Sequence, residues 1–184
     1  MTLLQKLLWL CALSLFSLYS YAADTLVLCD SITSELKGES QAPGATSCID
    51  VSSWSWGANQ VVSLAGGAGK PEFSAFSLQK FVDSSSTSLF SFLVKGVPLT
   101  GVLQFRDYGT CVSACTTPTP YFTVDMTKAF VTAQSIGGSS EGRPTESISF
   151  AYQIVKICYR TQDGEGMLGA ATCVTYNLAT GITS

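Results

Sequence analysis

Cys48-Ile-Asp-Val-Ser-Ser-Trp54-Ser-Trp56-Gly57 opens the stretch whose reading decides the fold. It continues through Gly66-Gly-Ala-Gly-Lys70 and Phe76-Ser-Leu-Gln-Lys80 to Leu89-Phe-Ser-Phe-Leu-Val-Lys-Gly96. The segment 49–60 alternates loosely, and period two places Trp54 and Trp56 on one face of a strand. The glycines after it make a loop. Residues 73–82 read as a second strand, with Phe73 and Phe76 as its aromatics. Asp83 to Ser86 then supplies side-chain oxygens for free backbone N–H groups, so a helix can start there. Leu89, Phe90, Leu93 and Val94 fall at helical spacing and predict one apolar face. Gly96 can take the left-handed conformation that ends a helix, and Pro98 blocks its extension.

Outward from this stretch the chain is written in strands. Residues 25–29 are short and apolar, and 30–46 are polar and loop-like. In 99–106, Leu99, Gly101, Leu103 and Phe105 share a face. Phe122, Val124, Met126 and Phe130 share another. Residues 147–159 are apolar on both sides and predict one long central strand. Residues 171–178 close the chain. Short strands around a single helix predict a mostly β barrel or sandwich capped by that helix.

Composition narrows the function. The 184 residues carry only 12% charge, a net charge of −3 and no histidine. No basic cluster is present, which argues against nucleic acid. Without histidine, Ser-His-Asp and Cys-His catalysis are excluded. Ser34–Lys37 and Ser77–Lys80 both meet an S-x-x-K spacing, but a strand sends Ser77 and Lys80 to opposite faces. Residues 65–70 differ from a phosphate loop, since Leu64 replaces its first glycine and Pro71 its magnesium-binding hydroxyl. Asp107, Asp125 and Glu146 read as solvated carboxylates. No cofactor or metal is called for.

The N-terminus reads as an export signal. Lys6 precedes the apolar run Leu7–Leu18, and Ser20-Tyr21-Ala22 sets small residues for cleavage after Ala22. Residues 1–22 are thus expected to be removed, leaving one domain at 23–184 in a secreted or periplasmic location. Cys29, Cys48, Cys111, Cys115, Cys158 and Cys173 then remain, an even number for an oxidising compartment. Six cysteines allow about fifteen pairings. Chain topology selects Cys29–Cys48 across the first loop, Cys111–Cys115 within one loop, and Cys158–Cys173 across the last turn. Trp54 and Trp56 read as core or subunit-interface aromatics, with a carbohydrate platform as the other use.

The order Lys37-Gly-Glu-Ser40, Ile49-Asp-Val51, Trp54-Ser-Trp56-Gly57, Gly66-Gly-Ala-Gly-Lys70, Phe76-Ser-Leu-Gln-Lys80 with Asp83, Leu89–Gly96 and Pro144-Thr-Glu-Ser-Ile-Ser-Phe150 resembles the Hcp family, the ring-forming tube protein of type VI secretion. The resemblance runs from about Leu26 to about Leu178. It implies a β-barrel of two sheets with one short helix packed alongside, and a non-catalytic homo-oligomer, a hexameric ring holding protein cargo in its lumen. It also implies that Ser55 faces that lumen, and that Trp54, Trp56, Gly66, Gly67 and Lys70 belong to ring contacts. An export signal and six cysteines depart from the family pattern, as does the loop from Cys111 to Pro120. They keep open a monomeric secreted effector or binding module on the same barrel.

Overall fold

A computed structural model describes residues 25–30, 35–108, 118–164 and 167–184. The signal segment with its cleavage point, Ser34, and the Cys111–Cys115 pair lie outside the described residues.

The elements in chain order are β1 Thr25–Asp30, β2 Ile49–Asp50, β3 Ser53–Ser55, β4 Ala58–Asn59, β5 Val62–Ser63, β6 Gly67–Ala68, β7 Glu72–Phe73, β8 Phe76–Phe81, α1 Ser86–Lys95, β9 Val102–Tyr108, β10 Phe122–Thr127, β11 Phe130–Gly137, β12 Thr145–Ala151, β13 Ile154–Gln162, β14 Leu168–Asn177 and β15 Ile182–Thr183. A seven-stranded sheet runs β15-β14-β13-β10-β9-β1-β2 and a four-stranded sheet runs β11-β12-β8-β3. Neighbouring strands pair antiparallel.

The two sheets face each other across one core, and strand parity explains which residues fill it. Leu103 and Phe105 of β9 and Val124 and Met126 of β10 point inward from the large sheet. Phe76 and Leu78 of β8 and Ile148 and Phe150 of β12 meet them from the small sheet. The expected barrel of two sheets is therefore observed, with one helix among the described residues. The expected alternation over 99–106 holds as well, since Leu99, Gly101, Leu103 and Phe105 are all buried.

Helix α1 packs on β11. Gly96 caps it at φ 61°, and its N–H reaches the carbonyls of Phe92 and Leu93. That is the left-handed stop read from the sequence. At the other end Asp83 Oδ1 accepts the Ser85 N–H at 2.9 Å and the Ser85 hydroxyl at 2.5 Å. The expected apolar face is corrected. Leu89 is buried, but Phe90 is 57% and Val94 65% exposed, while Phe92 and Leu93 turn to the core. The helix lies on the barrel through a narrower stripe, rotated from the one predicted.

The long strand predicted at 147–159 is also corrected. It is two strands, β12 and β13, in different sheets. The chain crosses between the sheets at Tyr152 and Gln153, so both halves have a buried face and the run looks continuous. Phe130 likewise leaves its predicted face: Lys128, at φ 52°, turns the chain into the second sheet, and Phe130 is 37% exposed. The segment 73–82 breaks at Ser74 and Ala75, and 49–60 divides into β2, β3 and β4.

Candidate functional site

The open face of the small sheet is built by the residues that alternate with its core. Register aligns Ser53, Gln79, Ser147 and Ser135 in one row across β3, β8, β12 and β11. A second row aligns Ser55, Ser77, Ser149 and Ala133. Ser77 and Ser149 share a hydrogen bond at 2.9 Å. Together the two rows form an uncharged surface of hydroxyls, one amide and one methyl, with a shallow depression among Ser53, Ser55, Ser77, Gln79 and Ser147. The serines of 53–55, 77 and 147–149 carry the period-two signal for it in the sequence, which attention to Ser55 alone passed over.

Trp54 and Trp56 flank Ser55 and turn the other way. The Trp54 ring stacks on Phe76 at 5.7 Å and Phe122 at 5.6 Å between centroids, and tilts against Phe105 at 4.8 Å. It therefore wedges between the two sheets. Trp56 packs near Phe73 at 6.0 Å, and its indole N–H donates to the Tyr152 hydroxyl. Burial pushes the Tyr152 hydroxyl above its ordinary pKa, because ionisation there would lose hydration. Both indoles thus spend much of their area inside this chain, each remaining partly exposed.

Beyond Trp56 the chain leaves the barrel as an arm. β4 pairs with β7 at its base and β5 with β6 at its tip. The loop read at 65–71 is therefore partly a hairpin. Gly67, at φ 85°, makes the tip turn, and the Gly66 N–H donates to the Ser63 carbonyl at 3.2 Å. Residues 58–70 are all exposed, including Val61 at 78%, Val62 at 60% and Leu64 at 103%. Lys70 reaches back to the barrel, where its Nζ donates to the Leu178 carbonyl at 3.2 Å. Gly66, Gly67 and Lys70 thus stand together on the arm, apart from the Trp54 ring. The three exposed aliphatics beside them were not singled out in the sequence.

Catalytic geometry is not assembled at the Ser77–Lys80 site. Ser77 lies on the open face, whereas Lys80 is buried at 1% exposure with its Nζ 2.5 Å from Glu146 Oε1 and 2.7 Å from Asp83 Oδ1. Glu146 is 2% exposed and Asp107 8%, so the reading of these two as solvated is corrected. Glu146 also accepts from the Ser86 hydroxyl at 2.5 Å and from Gln134 Nε2 at 2.7 Å. This closed cluster ties α1 to β8, β11 and β12. Asp107 takes the Tyr121 hydroxyl at 2.9 Å, and Asp125 accepts from Gln104 Nε2 at 2.6 Å. Among the described residues no group of three or more histidine, cysteine or acidic side chains could hold a metal ion.

Two disulfides stand where topology placed them. Cys29–Cys48 joins β1 to the end of the first loop with Cα atoms 4.6 Å apart. Cys158–Cys173 links directly paired residues of β13 and β14 with Cα atoms 4.1 Å apart. No helix among the described residues is long and apolar enough to cross a membrane.

Comparison with known proteins accords with this architecture. The family model described as type VI secretion system effector, Hcp, matches residues 30–159. A solved type six secretion system protein is 25% identical, with a TM-score of 0.76 over 88% of this chain and 100% of its own. Hcp1 from Salmonella typhimurium shares 20% identity and a TM-score of 0.71 over 88% of this chain and 99% of its own. A type VI secretion system effector from Yersinia pestis shares 22% identity and a TM-score of 0.63 over 83% of this chain and 98% of its own. No curated protein sequence matches the chain.

Proposed function

The chain belongs to the Hcp family of type VI secretion proteins, and from that premise we propose that it is an exported, non-catalytic ring subunit, hexameric, with protein cargo held against the open face that carries Ser55. The carrying observation is the arm. Val61, Val62 and Leu64 stand out in solvent together on a paired hairpin that leaves the barrel. Apolar side chains held in such a position are assembly material. Gly66, Gly67 and Lys70 would work from the same arm, while Trp54 and Trp56 would act mainly by fixing the strand on which Ser55 sits. Low charge across the surface leaves little repulsion between copies.

Export is part of the proposal. Residues 1–22 are removed after Ala22, residues 23–184 form one domain, and Cys111–Cys115 forms a third disulfide. The Cys29–Cys48 and Cys158–Cys173 bonds support an oxidising destination. Those same bonds favour a second reading, a monomeric secreted effector or binding module stapled to survive alone. Light scattering on oxidised, signal-cleaved protein at high concentration separates the two. A sixfold mass supports the ring, and a monomeric mass at every concentration replaces it with the binding module. N-terminal sequencing of exported protein should begin at Ala23, and a retained Met1 would refute cleavage.

A further inference from the structure

The two disulfides occupy opposite environments. Cys29 is 3% and Cys48 8% exposed, packed with Val27, Ala45 and Tyr108 under the first loop. Cys173 is exposed and Cys158 half-buried on the outer face of the large sheet. They line a groove of about 500 Å³ together with Arg106, Lys156, Arg160 and Asp125. Among the described lining residues, three are cationic and one is a carboxylate. Lys156 and Arg160 lie two residues either side of Cys158 on β13, hence on its face of the sheet. Arg106 joins the same row through Thr123. Lys156 takes part in neither ion pair found among the described residues.

We propose that Cys158–Cys173 is a thiol-exchange site, opened by a dithiol reductant while Cys29–Cys48 stays closed. A thiolate of the reductant attacks the exposed Cys173 Sγ. A mixed disulfide forms there, the bond between the protein sulfurs breaks, and its electron pair leaves on Cys158 as thiolate. The second thiol of the reductant, as thiolate, then displaces Cys173, giving a cyclic disulfide of the reductant and two protein thiols. Attack needs access to a sulfur and a leaving thiol of low pKa. Nearby cations favour the thiolate, and Lys156 and Arg160 supply them here. The buried pair lacks the access, and the one cation reaching its surroundings among the described residues, Arg106, is held there by the Gly44 carbonyl and the Tyr108 hydroxyl.

Opening the bond has a structural consequence. β14 is held by β13 on one side, but on the other, among the described residues, only Tyr176 and Asn177 pair with β15, besides the exchange between Thr175 and Ser184. Among the described residues, the half of β14 before Cys173 therefore rests on β13 and this staple. Reduction turns a fixed sheet margin into one that opens locally.

The test uses the oxidised mature protein under native conditions, a dithiothreitol step, iodoacetamide quenching and peptide mapping that reads each cysteine separately. Cys158 and Cys173 should become alkylated at least about tenfold faster than Cys29 and Cys48, as exposure and leaving-group terms require. The double variant Lys156→Gln with Arg160→Gln should slow that opening by about threefold or more. Should the variant fold poorly, wild-type protein in rising salt decides the same point, because screening weakens the cations and slows the step. Both pairs opening together, or Cys29–Cys48 opening first, overturns the proposal. Opening at one rate with or without the cations, and at all salt concentrations, overturns their role.

Discussion

Replacing Lys80 by methionine should destabilise the fold by about 3–5 kcal/mol, the cost of stranding a buried charge that has lost its partner. Lys80 Nζ donates to Glu146 at 2.5 Å, Asp83 at 2.7 Å, the Phe81 carbonyl at 2.9 Å and Ser86 at 3.3 Å. Methionine keeps much of the apolar stem and removes every one of these donors. Glu146 then keeps only the Ser86 hydroxyl and the Gln134 amide in a site 2% exposed. Domains hold about 5–15 kcal/mol in total, so the loss is a large share. With a urea slope near ~2 kcal/mol per M, the midpoint should fall by about 1.5–2.5 M at unchanged slope. Adding Glu146→Leu to Lys80→Met should restore most of the loss, because a buried ion pair exchanged for apolar groups is often neutral. A single variant within about 1 kcal/mol of wild type would show that the pair does not act as a closed electrostatic unit.

Trp54→Ala should cost about 3–5 kcal/mol in equilibrium unfolding, since three rings lose their common neighbour; a cost under about 1 kcal/mol would mean the ring is not a wedge. Gly38→Ala would put a Cβ 2.3 Å from the Cys48 carbonyl oxygen and 2.6 Å from Ile49 Cα, both backbone atoms. That overpacking should cost about 1–3 kcal/mol by the same assay, and a neutral result would contradict the close crossing. Leu64→Glu, at the exposed arm tip, should leave stability within about 0.5 kcal/mol while lowering the assembled mass in light scattering. An unaltered assembly would remove the arm from the contact.

Local rules made several elements legible. Gly96 before Pro98 marked the helix end, because no other residue type enters the left-handed region so readily. Two disulfides followed from which strands a loop must join. The errors were at places where a distant partner overrules local pattern. Tyr152 and Gln153 carry no turn residue, so the change of sheet between β12 and β13 has no local mark. Phe90 and Val94 have helical spacing but are left outside by the position of β11. Glu146 was read as solvated although it stands in phase with Ile148 and Phe150, as Lys80 does with Phe76 and Leu78. Two opposite charges in phase with two core faces, paired in register, were the signal for the buried cluster. The open face was half read: Ser55 came from the resemblance, whereas its rows needed the register of four strands.

Those two serine rows have a consequence for timing as well as for touch. None of their eight side chains titrates between acid and alkaline conditions, and none projects a monopole field into solvent. A passing molecule is neither drawn in from a Debye length away nor repelled; it meets this face only at hydrogen-bond range. Residence on such a surface is set by how many weak, short contacts form at once. It is nearly insensitive to salt, and it ends without any one bond dominating the exit. One glutamate at Ser77 would give the face a long-range voice and tie its behaviour to ionic strength.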